Sequence, residues 1–268
     1  MEYTPTSPQR IVCLTEETTE MLYILGEQDR IVGISGFTVR PPEARREKPR
    51  VSAFTSAKIG RILELDPDLV LGFSDLQAGI ALDLVRKGLN VHIFNQRSVK
   101  EILDMIVMLG AMVNARQRAE VWIEQVHMKI AAISAENAVR TTRPRVYFEE
   151  WDDPMISGIR WVSELIEIAG GQDCFQELSY SALARDRIIA DPAEVIRRVP
   201  DIIIGSWCGK KFQPESVAAR PGWQEIPAVK NNRVYEIKAP YILQPGPAAL
   251  TEGLDQLHTI IKGWYRTA

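Results

Sequence analysis

The sequence predicts an α/β protein of two similar lobes, each built on a parallel sheet and joined to the other by one long helix. Three observations lead there. Short apolar runs bounded by turn residues alternate with helical stretches, the order of a parallel sheet covered on both faces. The run Pro67-Asp68-Leu69-Val70-Leu71-Gly72 returns almost unchanged as Pro200-Asp201-Ile202-Ile203-Ile204-Gly205. Between the two copies, Asn114 to Val139 shows no strand signal and a single apolar stripe. The repeat extends beyond the Pro-Asp runs: Arg10 to Leu14 is echoed by Arg145 to Phe148, and Glu20 to Gly26 by Glu164 to Gly170. Recurrence at about half the chain length marks a duplicated domain, not a solenoid unit. The expected division is residues 1–113 for the N-terminal lobe, 114–140 for the connecting helix and 141–268 for the C-terminal lobe.

Taken in order, Arg10 to Leu14 reads as the first strand. A helix follows, opened by the polar and acidic Thr15-Glu16-Glu17 and stopped by Gly26. Ile31 to Ser35 is a second strand. Phe37 to Ser56, with Pro41, Pro42, Pro49 and five Arg or Lys residues, reads as loop. Ile59 to Leu65 is a helix leading into the strand Leu69 to Phe73, whose Gly72 reads as a strand stop. Gln77 to Lys87, Val91 to Phe94 and Val99 to Leu109 follow as helix, strand and helix. Ala119, Trp122, Val126, Ile130 and Ile133 then recur at three- and four-residue steps, one face of a long helix ended by Thr141 to Pro144. In the second lobe Arg145 opens a strand, Val162 to Ala169 and Pro192 to Arg198 are helices, and Ile202 to Ile204 and Arg233 to Ile237 are strands. Leu250, Leu254, Leu257, Ile261 and Trp264 form the apolar stripe of a closing helix.

The bulk composition excludes several classes. A chain of 268 residues, 46% hydrophobic and 25% charged, can bury a proper core. Its net charge of −3, with dispersed basic residues, gives no reason to expect nucleic acid. Cys13, Cys174 and Cys208 lie too far apart for a zinc motif, and three cysteines make no disulfide framework. No run approaches the roughly 20 apolar residues of a membrane span. Met1 to Gln9 has neither a basic start nor an apolar segment, so the residues themselves predict a cytoplasmic protein.

Ligands of parallel sheets meet the loops leaving the carboxyl ends of the strands. Those loops are rich in aromatic residues: Phe37, Phe54, Trp151, Trp207 and Tyr241. That suits a bulky organic ligand gripped on flat or apolar faces, although Trp151 and Trp207 read equally well as core residues at the sheet edge. Arg40, Arg160, Lys210 and Lys211 on the same loops would meet a polar or anionic rim. Glu149-Glu150-Trp151-Asp152-Asp153 reads as a solvated loop or ligand contact and lacks the spacing of a calcium loop. No nucleotide fingerprint, phosphate loop or nucleophile elbow is present. His92, His127 and His258 have no metal-ligand spacing. The expectation is a binding protein without catalytic or metal-ligating residues and without a required cofactor.

Several segments carry a family resemblance: Ile31-Val32-Gly33-Ile34-Ser35, Arg61 through Val70, Glu164 to Gly171, and Arg220-Pro221-Gly222-Trp223 through Val229-Lys230 to Tyr235. Over nearly its whole length the chain resembles the substrate-binding proteins of metal-chelate ABC importers, which bind cobalamin, ferric siderophores or haem. Their fold is the helical-backbone, class III type of periplasmic binding protein. Gly33 to Pro42 and Val51 to Ile62 are most similar to the cobalamin-binding members. The resemblance implies a corrinoid enclosed between the lobes, with a ferric siderophore as the alternative ligand. It also implies a periplasmic location for a chain whose leader has been removed, and an ABC permease as partner. The family docks its permease through one glutamate per lobe, and Gly60 and Ala193 stand at those positions. Their presence favours another alternative, a cytoplasmic protein that sequesters or hands over a cofactor without a permease.

Overall fold

The computed structural model describes residues 7–267 and divides into two compact units. One comprises residues 1–96 and 100–124, the other 97–99 and 125–268. Most of the polar start read from Met1 to Gln9 lies outside the described residues.

The first unit runs β1 (Ile11–Cys13), α1 (Glu16–Ile24), β2 (Ile31–Ser35), α2 (Pro42–Glu47), β3 (Arg50–Ser52), α3 (Ile59–Glu64), β4 (Leu69–Phe73), α4 (Ala78–Arg86) and β5 (Val91–Phe94), followed by α5 (Val99–Met112). Its strands are all parallel, in the order β3-β2-β1-β4-β5. Every residue of β1 and β4 is buried, as expected for strands covered on both faces. Val12, Leu14, Val51, Ile62, Val70 and Leu84 form one fully buried cluster. Each such side chain contributes about 1.5–3 kcal/mol over its exposed state.

The long helix is α6 (Arg116–Ala138), with Ala119, Val126 and Ile133 of the expected stripe buried. Residues up to Glu124 belong to the first unit and those from Gln125 onward to the second.

The second unit continues with β6 (Arg145–Asp152), β7 (Met155–Ser157), α7 (Arg160–Ile168), β8 (Gln172–Asp173), α8 (Gln176–Ser179), α9 (Ala193–Arg197), β9 (Ile202–Gly205), α10 (Pro214–Ala218), α11 (Pro227–Lys230), β10 (Val234–Glu236), α12 (Ala239–Ile242) and α13 (Leu254–Tyr265). A π-helical turn, Ala249–Gly253, leads into α13. The sheet order is β10-β9-β6-β7, and β8 pairs with the start of β6. Leu250, Leu254, Leu257 and Ile261 are fully buried, as the closing stripe predicts.

The repeated Pro-Asp pair does the same work in both units. Asp68 accepts hydrogen bonds from the backbone amides of Gln9 (2.7 Å) and Arg10 (3.0 Å). Asp201 accepts one from the amide of Arg145 (2.9 Å). Each aspartate thus clamps the entry of the first strand of its own sheet beside the strand that it opens. The parallel registers Ile11↔Leu69 and Val146↔Ile202 follow.

The structure corrects three sequence expectations. Phe37 to Ser56 is not all loop, because it contains α2 and the edge strand β3. Pro42 occupies the first helical position, where its missing N–H is no loss, so the proline signalled a helix start. Glu149 to Asp152 is strand, not loop: β6 runs through it and β7 folds back antiparallel, so the second sheet is not purely parallel. Of the two repeat glycines, Gly205 is the last residue of its strand, but Gly72 does not stop its own. Gly72 lies inside β4, where a Cβ would stand 2.7 Å from Gln77 Oε1, and at Gly205 a Cβ would fall 1.8 Å from the Phe212 ring. Close packing requires glycine at both places.

Gly205→Ala should therefore destabilise the protein by about 2 kcal/mol or more in urea unfolding, since the buried Phe212 ring must move. Gly60→Ala, at an exposed helical position with nothing within 4 Å of the added Cβ, should be neutral or stabilising by about 0.5–1 kcal/mol.

Candidate functional site

The carboxyl ends of β1 and β2 carry more buried polarity than the sequence reading anticipated. Thr15 leaves β1 in extended conformation and caps α1. Its hydroxyl donates to Glu17 Oε1 (2.6 Å). The hydroxyls of Thr18 and Thr19 turn back to the carbonyl of Thr15. Glu17 is only 1% exposed, and its Oε2 is buried without a hydrogen-bond partner. Glu16 stands beside it, and Glu20, also buried, accepts from Arg40 Nε (2.8 Å). Burial pushes the Glu17 carboxyl up to about 7 despite its hydrogen bonds, with Glu20 adding repulsion. Burial, then the charge of Glu17, raises Glu16 to about 7 as well. Past the end of β2, Thr38 is fully buried and its hydroxyl has no partner.

On the same side of this sheet, Phe37 is 56% exposed and its amide donates to Ser35 Oγ. Phe54 is half-buried, and its carbonyl accepts from Gln77 Nε2 (2.9 Å) while Gln77 Oε1 accepts from the amide of Phe73 (2.9 Å). The amide that packs on Gly72 is therefore also the one that fixes Phe54.

In the second unit the corresponding strand ends are organised by Glu149, which is fully buried. It accepts from Arg220 on both oxygens (2.5 and 2.9 Å), from the Tyr147 hydroxyl (2.8 Å) and from Trp207 Nε1 (3.1 Å). Burial and the neighbouring Glu149 charge push the Tyr147 hydroxyl well above its ordinary range, so it stays a donor. Arg220 also lies over the Trp223 ring, 4.6 Å from its centre. Nearby, the buried Arg187 donates to both oxygens of Glu150 (2.7 and 3.1 Å) and to the carbonyl of Ser157. A carboxylate so deep is tolerated only because its lone pairs are filled.

The nine sequence-predicted residues divide accordingly. Phe37, Phe54 and Trp151 keep exposed or half-exposed surface at or just past strand ends, and half-exposed Tyr241, expected on a loop, lies instead in α12. Trp207, expected as a stacking face, is instead core: it is 5% exposed and packs edge-on to Phe212 at 4.9 Å. Three of the four basic residues already face a carboxylate. Arg40 meets Glu20 (2.8 Å), Arg160 meets Glu164 (2.9 Å) and Lys210 meets Asp152 (2.5 Å). Lys210 also sits over Trp151 and Trp207, 5.6 and 4.8 Å from their ring centres. Lys211 is exposed. Phe37 and Arg40 follow β2, Phe54 follows β3, Trp151 lies near the end of β6, Trp207, Lys210 and Lys211 follow β9, and Arg160, expected on a loop, opens α7. Glu17, Glu20 and Arg220 are not among the sequence-predicted residues, whereas Glu149 belongs to the acidic run that the sequence reads as a solvated loop or ligand contact. The signal for Glu17 was in plain view, since Thr15-Glu16-Glu17 was read only as a helix start.

Among the described residues no group of His, Cys, Asp and Glu could hold a metal ion, and no helix is long and apolar enough to cross a membrane. Burial raises the thiols of Cys13 and Cys174 to about 12, whereas Cys208 is exposed.

The family described as periplasmic binding protein matches residues 11–241. The chain belongs to that family. It is 25% identical over 265 residues to the uncharacterized ABC transporter substrate-binding lipoprotein YvrC of Bacillus subtilis, covering 93% of this chain and 79% of that one. It is 24% identical over 246 residues to the vitamin B12-binding protein of Vibrio parahaemolyticus, covering 90% of this chain and 86% of the relative. Among solved structures, the periplasmic heme-binding protein RhuT of Roseiflexus sp. RS-1 matches with a TM-score of 0.77 at 24% identity, over 94% of this chain and 99% of that one. The structural match speaks for the fold. As in the sequence reading, the fold is that of a two-unit α/β binding protein.

Two outcomes follow from the buried charges. Arg220→Ala strands the Glu149 carboxylate and should cost about 3–5 kcal/mol in urea unfolding, whereas Lys211→Ala should stay within about 0.5 kcal/mol of the parent. A carboxyl whose folded pKa is about 7 against an ordinary 4.5 binds its proton more tightly in the folded state. Stability from that group is therefore present below pH 4.5, falls as pH rises between 4.5 and 7, and is lost above 7. Glu17→Gln should be more stable than the parent to urea at pH 8, by on the order of 2 kcal/mol, and the gap should close near pH 4.

Proposed function

We propose that this member of the periplasmic binding protein family is a non-enzymatic carrier of a corrinoid of the cobalamin class. The ligand would be held at the carboxyl ends of its sheets by Phe37, Phe54, Trp151 and Tyr241. The observation that carries this reading is the charge matching of Arg40, Arg160 and Lys210 by Glu20, Glu164 and Asp152. An anionic chelate such as a ferric catecholate, or the carboxylates of haem, would need cationic side chains ready to meet it. A planar ligand rimmed with neutral amides needs aromatic faces and hydrogen-bond acceptors, and these strand ends carry both. The vitamin B12-binding relative supports the same ligand class.

The substrate-binding lipoprotein among the relatives supports work with an ABC permease outside the cytoplasmic membrane. A second reading, cofactor sequestration or handover without a permease, is favoured by the first turns of α3 and α9. There Gly60 and Ala193 provide no carboxylate, and the nearby Glu64 and Glu194 are taken up by Arg61 (2.8 Å) and by Arg197 and Arg198 (2.6 and 2.8 Å). Fractionation of the native cells separates the two readings.

Titration followed by the visible absorption of cyanocobalamin should give a Kd below about 10 μM, with haemin and a ferric catecholate at least about tenfold weaker. Stronger binding of either anionic chelate would overturn the corrinoid assignment.

A further inference from the structure

At the strand ends Asp152 Oδ1 and the hydroxyls of Thr38 and Ser206 are also buried without a hydrogen-bond partner, but among the buried carboxylates at the carboxyl ends of β1 and β6 Glu17 is the one that no basic side chain meets. Glu20 is met by Arg40, Glu149 by Arg220, Tyr147 and Trp207, Glu150 by Arg187 and Asp152 by Lys210. Glu17 is as deeply buried as Glu149, yet only one of its oxygens is satisfied, by Thr15. A buried carboxylate oxygen with an empty acceptor position costs free energy that a hydrogen-bond donor would return. It sits where β1 gives way to α1, at the end of a parallel sheet where ligands bind. Its neighbours on the same turn, Glu16 and Glu20, are also acidic, so the corner repels anions and accepts N–H donors.

We propose that Glu17 is the polar anchor of the ligand site in the first unit, accepting on Oε2 a hydrogen bond from an amide N–H on the ligand's edge and rejecting ligands that carry a carboxylate at that edge. The inference rests on the corrinoid reading above and names the part of the ligand that is recognised. Thr15 fixes the rotamer through Oε1, leaving Oε2 as the recognition atom. In Glu17→Gln the Thr15 contact can persist on the amide oxygen, while an N–H replaces the acceptor facing the ligand, reversing the polarity of the anchor.

The test compares cyanocobalamin with each of the monocarboxylic acids made by hydrolysing one of its peripheral amides, on the full chain and on the variants E17Q and E17A. The unaltered chain should bind cyanocobalamin at least about tenfold more tightly than one of the monocarboxylic isomers, since a buried site built to accept an N–H leaves its group unpaired when the donor is missing. Both variants should bring that ratio to within about threefold, with E17Q improving binding of the acid. A purely structural role for Glu17 would weaken all probes alike and leave the ratio where it was. An unchanged ratio in both variants overturns the anchor while leaving the corrinoid reading in place. Failure of the unaltered chain to bind cyanocobalamin overturns that reading, and the anchor with it.

Discussion

An aspartate that holds the backbone amide of a neighbouring strand is the constraint on which both units are built. Asp68 and Asp201 each fix where two parallel strands begin relative to one another. Because side chains in a strand alternate faces, a slip of one residue would move every side chain to the opposite face of the sheet and force both covering layers to repack. The same clamp decides where the strands end. Four residues beyond each aspartate stands a glycine against which a side chain packs, Gln77 on Gly72 and Phe212 on Gly205. Those side chains in turn hold an aromatic residue: Gln77 bonds the carbonyl of Phe54, and Phe212 packs edge-on to Trp207. Strand register is thus passed on through one glycine in each unit to an aromatic residue beyond the strand end, Phe54 of the candidate site in the first and the core residue Trp207 in the second.

The electrostatics of the strand ends depend on that placement. In both units a glutamate just after or within the first strand's carboxyl end is buried, which is tolerable only when its oxygens are filled. The second unit fills them from its own chain, with Arg220, Tyr147 and Trp207 around Glu149. The first unit does so for Glu20 through Arg40 but leaves Glu17 half filled. Positive charge at these ends is largely spent on internal partners. The surface offered to a ligand is consequently aromatic and hydrogen-bonding more than cationic.

Much of the fold could be read directly from residues. Ile31 to Ser35, Leu69 to Phe73 and Val91 to Phe94 stand as strands at their expected bounds, because continuous apolar runs between turn residues have few alternatives in a sheet covered on both faces. The misreadings share a physical origin. Pro41-Pro42 reads as loop in the sequence because proline both breaks and starts helices, and only the helical backbone that follows distinguishes the two. Glu149 to Asp152 reads as loop in the sequence because charge in a strand looks unfavourable until its partners are known, and Arg187, Lys210 and Arg220 lie far along the chain. The aromatic part of the site was legible from position after strands. Its charge balance was not, since a basic residue reads the same in sequence whether or not a carboxylate already holds it.

The three cysteines give the molecule a chemical asymmetry of practical use. Two thiols are shut inside strands or their ends and stay protonated at neutral pH, so alkylating reagents and oxidants find little thiolate there. Cys208 is on the surface, next to Trp207 and two residues from Lys210, on the segment that follows β9. One dye coupled to the unaltered chain would settle there, beside the very strand end where the second unit meets solvent. The natural sequence therefore contains its own single-site handle for an optical reporter.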